Sequence, residues 1–428
     1  MKLYKFFLLT KKKLFYLNRS ITGKETEETL RIIKKNLNIL KLKYTKSRTK
    51  VFDWIIPYEW NVKTAYVLDN KKKKIIDFND NNLHLVGYSQ KIKKKILKKE
   101  FLNKIYSLPD LPNAIPYKTS YYKKDWGFCV THNQKKHIIK NYKKNDYFHV
   151  NINSSHNKKG KLCYGELLLK GKSDIELIIS TYICHPSMAN NELSGPIVSM
   201  ALASYFNNKP LNYSIRFLFI PETIGSINFI KKNFSKLKKK RVFGLNLSCI
   251  GDERNYSMMF SKYKNSPIDE SVIEAYKFLK IKPKKFSFLK RGSDERQFNS
   301  PGIDIPMASL FRTKYGEYPE YHTSLDNFNI VTYKGLLGGF KVAKKTIEIF
   351  QNKIIPKNNI LCEPQLSKRN LYPTMSSNKI DLKSRKYLDF LQYTDGKSSL
   401  TKISNEIKIK NKDALKIFDI LKKNKLIV

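Results

Sequence analysis

Four polar residues follow apolar segments of the sequence, at positions where α/β proteins carry catalytic side chains. His185 follows "IELIISTYI", Glu222 follows "SIRFLFI", Asp252 follows "VFGLNLSCI", and His322 lies in the loop after "IPMASLF". If these segments are parallel strands, their carboxyl ends meet at one edge of the sheet, where open α/β sheets bind ligands. We therefore expect the four side chains to share a site.

Two histidines and a glutamate are the residue types of a zinc site. His322 stands between Tyr321 and Thr323 in a polar loop, where a packing role is less natural. For His185 the alternative is a buried histidine bonded to a backbone carbonyl. Glu222, if it binds no metal, would be placed to take the proton from zinc-bound water. The pattern predicts metal-dependent hydrolysis.

Five strings occur in an order that resembles the zinc aminopeptidase superfamily, which includes glutaminyl cyclases: "HPSMANNELSG", "PETIGS", "NLSCIGD", "GSDERQF" and "YHTSLD". A closer resemblance is to bacterial aminopeptidase-like proteins associated with surface-polysaccharide biosynthesis. Their members carry an inserted β-rich domain with stretches like "VFDWIIPYEW" and "WGFC", and a C-terminal winged helix. The resemblance covers nearly the whole chain.

The resemblance implies roles for single residues. His185 corresponds to the first zinc-binding histidine, His322 to the last, and Glu222 to the general-base glutamate. Asn191 stands where the superfamily has its metal-bridging aspartate. We expect the metal ligands to be His185, Asn191 and His322.

Two further carboxylates of the superfamily are replaced by Thr223 and Ser248. Because carboxylates balance the charge of two neighbouring dications, we expect one zinc ion and not two. Asp294 and Asp252 are further candidates for the site. The alternative for Asp294 is an ion pair with Arg291 or Arg296.

Two residues near His185 are expected to be structural. Glu192 is interpreted as a helix-start residue, since a carboxylate is favourable at a helix N-terminus. Cys184 is expected in the core, because adjacent strand residues point to opposite faces. Ser194-Gly195 is interpreted as the turn that starts a helix, because the sequence has no G-x-S-x-G elbow of a serine hydrolase.

The amino-acid composition indicates which partners and which cellular compartment to expect. The chain has 83 lysine and arginine residues against 36 acidic residues, which gives a formal charge of +47. The lysines form short runs such as "KKKK" at 71–74. This distribution favours a solvated surface over a dedicated nucleic-acid face. Five scattered cysteines without C-x-x-C spacing indicate a reducing compartment. With no signal peptide and no apolar run of membrane-spanning length, we expect a cytoplasmic protein of open oligomeric state.

The chain as a whole is predicted to be an α/β protein with a zinc-aminopeptidase-like core and a mostly parallel sheet. The core comprises residues 1–50 and 155–355, with a first helix from about 24 to 41. An inserted β-rich domain occupies residues 51–154, a linker 356–376, and a winged-helix domain 377–428. The second helix of that domain carries lysines without an Arg or Gln cluster for base edges, which favours protein contact over DNA contact.

Three functions therefore follow from the sequence. The first is a zinc-dependent hydrolase of an amide or related bond, with a small-molecule, peptide or amino-sugar substrate. The second is a catalytically reduced binding or scaffold protein for glycan assembly, suggested by the missing carboxylates. The third is a DNA-binding regulator that acts through the winged helix.

Overall fold

Short strands predominate in the first part of the chain, and strands and helices alternate between residues 175 and 351. The computed structural model describes residues 2–373 and 382–428. The strands of these residues are β1 Lys41–Lys46, β2 Lys50–Val51, β3 Trp54–Ile55, β4 Glu59–Leu68, β5 Lys74–Asp77, β6 Ile92–Leu97, β7 Ile105–Tyr106, β8 Phe128–Cys129, β9 Tyr147–Asn157, β10 Lys161–Leu169, β11 Ile175–Tyr182, β12 Ser214–Ile220, β13 Arg241–Leu247, β14 Ser257–Met259, β15 Lys284–Phe286 and β16 Met307–Phe311. The α-helices are α1 Lys2–Leu9, α2 Lys24–Asn36, α3 Lys98–Leu102, α4 His132–Asn141, α5 Ser194–Phe206, α6 Ile224–Lys239, α7 Pro267–Phe278, α8 Glu295–Phe298, α9 Tyr333–Gln351, α10 Leu382–Gln392, α11 Leu400–Glu406 and α12 Asn411–Lys423. Ala189–Leu193 forms a π-helical turn before α5.

The large sheet has the strand order β1-β10-β12-β11-β13-β16-β14-β15, and β12, β11, β13 and β16 run parallel to one another. Strand β11 is buried along its whole length. Leu177 and Ile179 face the core that also holds apolar side chains of α5 and α9, whereas Ile178 faces the core that includes side chains of α6. Burial on both faces explains why this strand is a continuous apolar run. The predicted fold class is confirmed.

A second, antiparallel sheet has the order β5-β4-β9-β6 and comes from the segment predicted to be β-rich. Phe148, Val150 and Ile152 alternate along β9 and are buried. This side of the sheet packs into the same core as α6. The boundaries drawn around this segment stay predictions.

Helix α1 precedes α2, the helix that the sequence predicts as the first one from about 24 to 41, and α2 is shorter than predicted. It ends at Asn36, and Leu37 closes it by donating its N–H to the carbonyls of Ile33 and Lys34. Leu37 and Leu40 are nevertheless buried in the main core. Leu37 and Leu40 pack against the core from the turn that leads into β1. The pattern of buried apolar residues therefore extends beyond the end of the helix.

The C-terminal helices α10, α11 and α12 share a separate core, to which Phe390, Ile403 and Leu421 contribute. Residues 374–376 of the predicted linker and 377–381 of the predicted winged-helix domain lie outside the described residues. Among the described helices, none is both long and apolar enough to cross a membrane.

Candidate functional site

Strained backbone marks the carboxyl-terminal edge of the large sheet. Ser187, Thr223, Cys249 and His322 follow β11, β12, β13 and β16, and all four have positive φ, at 45°, 64°, 47° and 57°. Non-glycine residues rarely adopt this conformation, and such strain is concentrated at functional sites. The strain therefore lies at the edge where the sequence predicts catalysis.

His185 lies in the loop after β11 and contacts two glutamates. Its Nδ1 is 2.8 Å from Oε2 of Glu192, and its Nε2 is 3.8 Å from Oε2 of Glu222. Burial acts to lower the pKa of His185, but the hydrogen bond to Glu192 and its charge outweigh burial, so this pKa lies above its usual value. A carboxylate at Nδ1 fixes the ring and directs Nε2 outward as the ligand atom.

Glu192 lies in the first turn of a helical segment, as the sequence suggested, but its side chain has a second role that the sequence did not indicate. It lies in the buried π-helical turn, where its Oε1 is 3.4 Å from Nε of Arg19. Arg19 also donates from Nε to the carbonyl of His185 at 3.1 Å, and from Nη1 to the carbonyl of Leu14. The buried carboxylate therefore has a buried counter-charge. Neither Glu192 nor Arg19 was recognised as part of the site.

Asp326 holds the π-helical turn in place. Its carboxylate accepts hydrogen bonds from the backbone N–H groups of Ala189, Asn190 and Asn191 and from the hydroxyl of Tyr318. These are the donors that a helix start leaves without partners. Burial raises the pKa of Asp326 to about 6, although these hydrogen bonds act to lower it. Because Asp326 belongs to the "YHTSLD" string, it ties the loop of His322 to that of His185.

The segment between β7 and β8 contributes a ring to the site. Tyr117 donates its backbone N–H to the carbonyl of His322 at 2.9 Å, and Ile115 donates its own to Oγ of Ser324. The ring centre of Tyr117 is 5.1 Å from that of His185 and 5.3 Å from that of His322. The two histidine rings are 5.4 Å apart. Tyr117 thus forms one wall of the space beside both histidines.

His322 is neutral in this setting. Tyr321 stacks on it with 3.9 Å between ring centres. Burial, together with the positive charge of His185, lowers the pKa of His322 to about 3. A neutral imidazole is the form that binds a metal ion.

Glu222 is next to a strained turn and a second carboxyl group. Asp294 Oδ1 accepts the N–H of Thr223 at 2.7 Å and the hydroxyl of Ser226 at 2.8 Å, while Oδ2 has no hydrogen-bond partner among the residues that the structure describes. Burial and the charge of Glu222 raise the pKa of Asp294 to about 8, and burial also raises the pKa of Glu222. The alternative ion pair of Asp294 is wrong, since Arg296 donates instead to Oγ1 of Thr223.

The two remaining predicted residues are engaged in other hydrogen bonds. Asn191 Oδ1 accepts from the Tyr182 hydroxyl at 2.9 Å, which leaves one of the two lone pairs of an amide oxygen. Asp252 accepts hydrogen bonds from Asn190 Nδ2 and from the backbone and hydroxyl of Thr313. These bonds connect Asp252 to the scaffold of the π-helical turn, and none of them involves another predicted ligand.

Cys184 also borders the site. In residues 2–373 and 382–428, the only set of three or more His, Cys, Asp or Glu ligand atoms within 4.8 Å of one another is that of Cys184, His185 and Glu192. Burial raises the pKa of Cys184 well above its usual value, so its thiol stays neutral and is a poor metal ligand. Its Sγ accepts the N–H of Glu222 at 3.2 Å. Cys184 is core, as expected, but it supports the site.

The residues present fit a single zinc ion. When two imidazoles bind the same tetrahedral zinc ion, each through a Zn–N bond of about 2 Å, their ring centres lie about 5 Å apart. The ring centres of His185 and His322 are 5.4 Å apart, close to this distance. No carboxylate stands at Asn191, Thr223 or Ser248, where the resemblance implies the anionic ligands of a two-zinc centre. The two imidazoles are therefore the part of the donor set that fits one zinc ion.

The chain is similar to known proteins along most of its length. The DUF4910 family model, described as a domain of unknown function, matches residues 8–353, and a winged helix-turn-helix model matches residues 354–428. A Clostridium acetobutylicum protein, provisionally named as a polysaccharide biosynthesis protein with an aminopeptidase-like domain, is 39% identical over 394 residues. That match covers 91% of this chain and 88% of the relative.

Solved structures agree with the fold. A provisionally described peptidase from Clostridium acetobutylicum superposes with a TM-score of 0.78 at 36% identity, covering 100% of this chain and 96% of the other. A Bacillus subtilis zinc aminopeptidase gives 0.59 at 12% identity, covering 81% and 93%. A peptidase M28 precursor from Shewanella amazonensis gives 0.59 at 12%, covering 85% and 95%. At 12% identity, the last two likenesses concern the fold alone.

Proposed function

This chain belongs to the DUF4910 family, and from its aminopeptidase-like fold and its site we propose that it is a hydrolase of an amide or related bond that uses one zinc ion. The observation that carries the proposal is the meeting of His185 and His322, with rings 5.4 Å apart, beside the Glu222 carboxylate. These three residues lie in the sequence strings "HPSMANNELSG", "PETIGS" and "YHTSLD", which resemble those of zinc aminopeptidases.

His185 and His322 would hold the ion, His185 through Nε2, because Glu192 occupies its Nδ1. Asn191 is the third proposed ligand, through the lone pair that Tyr182 leaves. Bound zinc would supply an acidified water and a positive charge near the scissile carbonyl. An amide ligand is neutral, so it would weaken retention of the ion relative to a carboxylate.

Glu222 is proposed as the general base. Its side chain is 22% exposed, so the group can exchange protons with a substrate or a water. Asp294 is fully buried and forms no ion pair within residues 2–373 and 382–428, and its raised pKa favours the proton residing there. Glu222 then stays a carboxylate that can take a proton and return it to the leaving group. Tyr117 would limit the room beside the two histidines.

The substrate is proposed to be an amino- or acyl-sugar intermediate of surface-polysaccharide biosynthesis. This proposal rests on the name of the 39% identical relative and on the amide-hydrolase chemistry of the site. A panel of N-acylated amino sugars and aminoacyl substrates, assayed with zinc-loaded protein, would test it. Cleavage of aminoacyl substrates alone would contradict the sugar assignment while leaving the hydrolase intact.

The metal site itself is tested by zinc titration of metal-free protein. We expect about one zinc per chain for the wild type and loss of binding in His322→Ala. His137→Ala is the matched control, because His137 lies exposed on α4. Well under one zinc per wild-type chain, or equal binding by His322→Ala, would contradict the proposal.

A further inference from the structure

The solvent side of the second sheet carries rings and amides. Successive side chains of β9 point to opposite faces of the sheet. Phe148 and Val150 are buried, so Tyr147, His149 and Asn151 point outward and are partly exposed. Tyr66 of β4 lies opposite Asn151 in the register. Tyr66 and His149 are therefore diagonal neighbours on one face, within the reach of stacking side chains. Both belong to the two central strands of the sheet.

Lysines border these rings. On the edge strand β6, Lys93 pairs in register with Asn151, and Lys95 with His149. Lys95 Nζ lies 3.3 Å from the ring centre of Tyr147. In the part of the chain that the structure describes, neither Lys93 nor Lys95 forms an ion pair with a carboxylate. The charges of Lys93 and Lys95 are therefore not neutralised by a carboxylate, whereas Lys94, which also lines this face, pairs with Glu100 at 2.9 Å.

A groove of about 270 Å³ runs across this face. It is lined by Tyr66, Leu68, Lys72, Lys93, His149 and Asn151, among others. Lys72 comes from the turn between β4 and β5 and forms no ion pair among the described residues either. Aromatic rings on central strands and ammonium groups at the rim thus share one concave surface.

We propose that this face binds single-stranded nucleic acid. Bases stack on aromatic side chains of the central strands of four-stranded sheets, and a positively charged groove follows the backbone. The alternation of rings with unpaired ammonium groups matches the alternation of base and phosphate. Charge alone would also attract an acidic polysaccharide, but aromatic rings on the central strands favour bases. The surface belongs to the second sheet and is independent of the zinc site.

The test measures fluorescence anisotropy of a labelled twelve-nucleotide oligothymidylate over a range of salt concentrations. Lys93→Gln with Lys95→Gln should weaken binding and lower the slope of log affinity against log salt by about 1.4, since each phosphate contact on a single strand contributes about 0.7. Tyr66→Ala with His149→Ala should weaken binding at least tenfold and leave the slope unchanged.

The matched control is Lys236→Gln with Lys239→Gln, which removes two exposed lysines of α6. The control should change affinity less than twofold. If it weakens binding as much as the Lys93 and Lys95 variant, only the overall +47 charge is at work and the proposal is overturned. Heparin competition combined with unaltered binding by the ring variant would point to acidic polymers in general and would also overturn it.

Thermal unfolding shows whether the ring variant is folded. If it is not, Tyr66→Leu keeps an apolar side chain on β4 and should still lower affinity severalfold. Unchanged affinity of folded Tyr66→Leu overturns the proposal. Zinc titration of the same variants keeps this result separate from the proposed hydrolase, because zinc binding should be unchanged in all of them.

Discussion

Glu192 lies with its Oε2 2.8 Å from Nδ1 of His185, and this contact fixes which nitrogen of the imidazole faces the site. Both residues are buried, and Arg19 balances the carboxylate from the other side at 3.4 Å. The ring is therefore oriented before any ligand arrives. Preorganised ligands of this kind raise metal affinity.

Replacing Glu192 by Gln should weaken zinc binding by about 10- to 100-fold, because His185 loses a charged partner at Nδ1. Zinc affinity is measured by competition with a chelator. The change also leaves Arg19 unpaired, which destabilises a buried site. Combining Glu192→Gln with Arg19→Met removes that unpaired charge and is the control for folding. A zinc affinity within twofold of wild type in the folded double variant would contradict the role of Glu192.

Asn191→Asp should tighten zinc binding by tenfold or more, because it adds an anionic ligand where the site has a neutral amide. Tyr182 can continue to donate to the new carboxylate. The rise in melting temperature on adding zinc is the measurement. Asn190→Asp is the matched control, since its carboxylate would face Asp252, which now accepts from Asn190 at 3.1 Å. That control should lose stability and gain no affinity; an equal gain in both would refute Asn191 as a ligand.

Glu222→Gln should keep zinc and lower turnover by about 10²- to 10⁴-fold, the usual contribution of a general base. Asp294→Asn should have a much smaller effect at neutral pH, because an amide resembles the protonated Asp294 that its raised pKa favours. Its Oδ1 can still accept from Thr223 and Ser226. Turnover and zinc content are measured for both. Equal losses of turnover would show that Asp294, not Glu222 alone, handles the proton.

Acid stability should depend on Glu176 at the start of β11. Burial acts to raise the pKa of Glu176, but its bonds to Arg216 and Lys240 outweigh burial, so the pKa is lowered. The stabilisation is present above the unfolded pKa of about 4.5 and is lost as pH falls through the folded value. Glu176→Gln should cost about 1.5–3 kcal/mol of unfolding free energy at pH 7, because it removes charge-assisted hydrogen bonds of a buried carboxylate, while Arg216 keeps its ion pair with Glu166 and Lys240 is 38% exposed.

The measurement for Glu176 is urea unfolding at pH 7 and at lower pH, where the gap between variant and wild type should narrow. Glu100→Gln is the matched control, because Glu100 forms an ion pair with Lys94 in which both side chains are about half exposed. Exposed pairs contribute about 0–1 kcal/mol. A loss for Glu176→Gln no larger than that of the control would show that burial does not strengthen the Glu176 pair.

The sequence by itself determined the fold class and three residues of the candidate site. Continuous apolar runs indicated strands buried on both faces, and β11 is such a strand. Because carboxyl ends of parallel strands lie at one edge, the positions of His185 and Glu222 after two such runs were enough to predict that they meet. His322 followed from its loop after β16. The same reasoning placed Asp252 at this edge but could not tell that Thr313 and Asn190 would occupy its oxygens.

Only the tertiary structure decided what surrounds these residues. Arg19 is 166 positions from His185, and no local pattern in its segment signals that it will reach the π-helical turn. Tyr117 comes from the segment between β7 and β8 and reaches the histidines through backbone pairing with the His322 loop. The charge of Glu192 suits the helix start at which it lies, but only the tertiary structure shows that the π-helical turn directs its side chain to His185. Periodicity reports which side of an element is buried, but contacts between distant loops depend on how the whole chain packs.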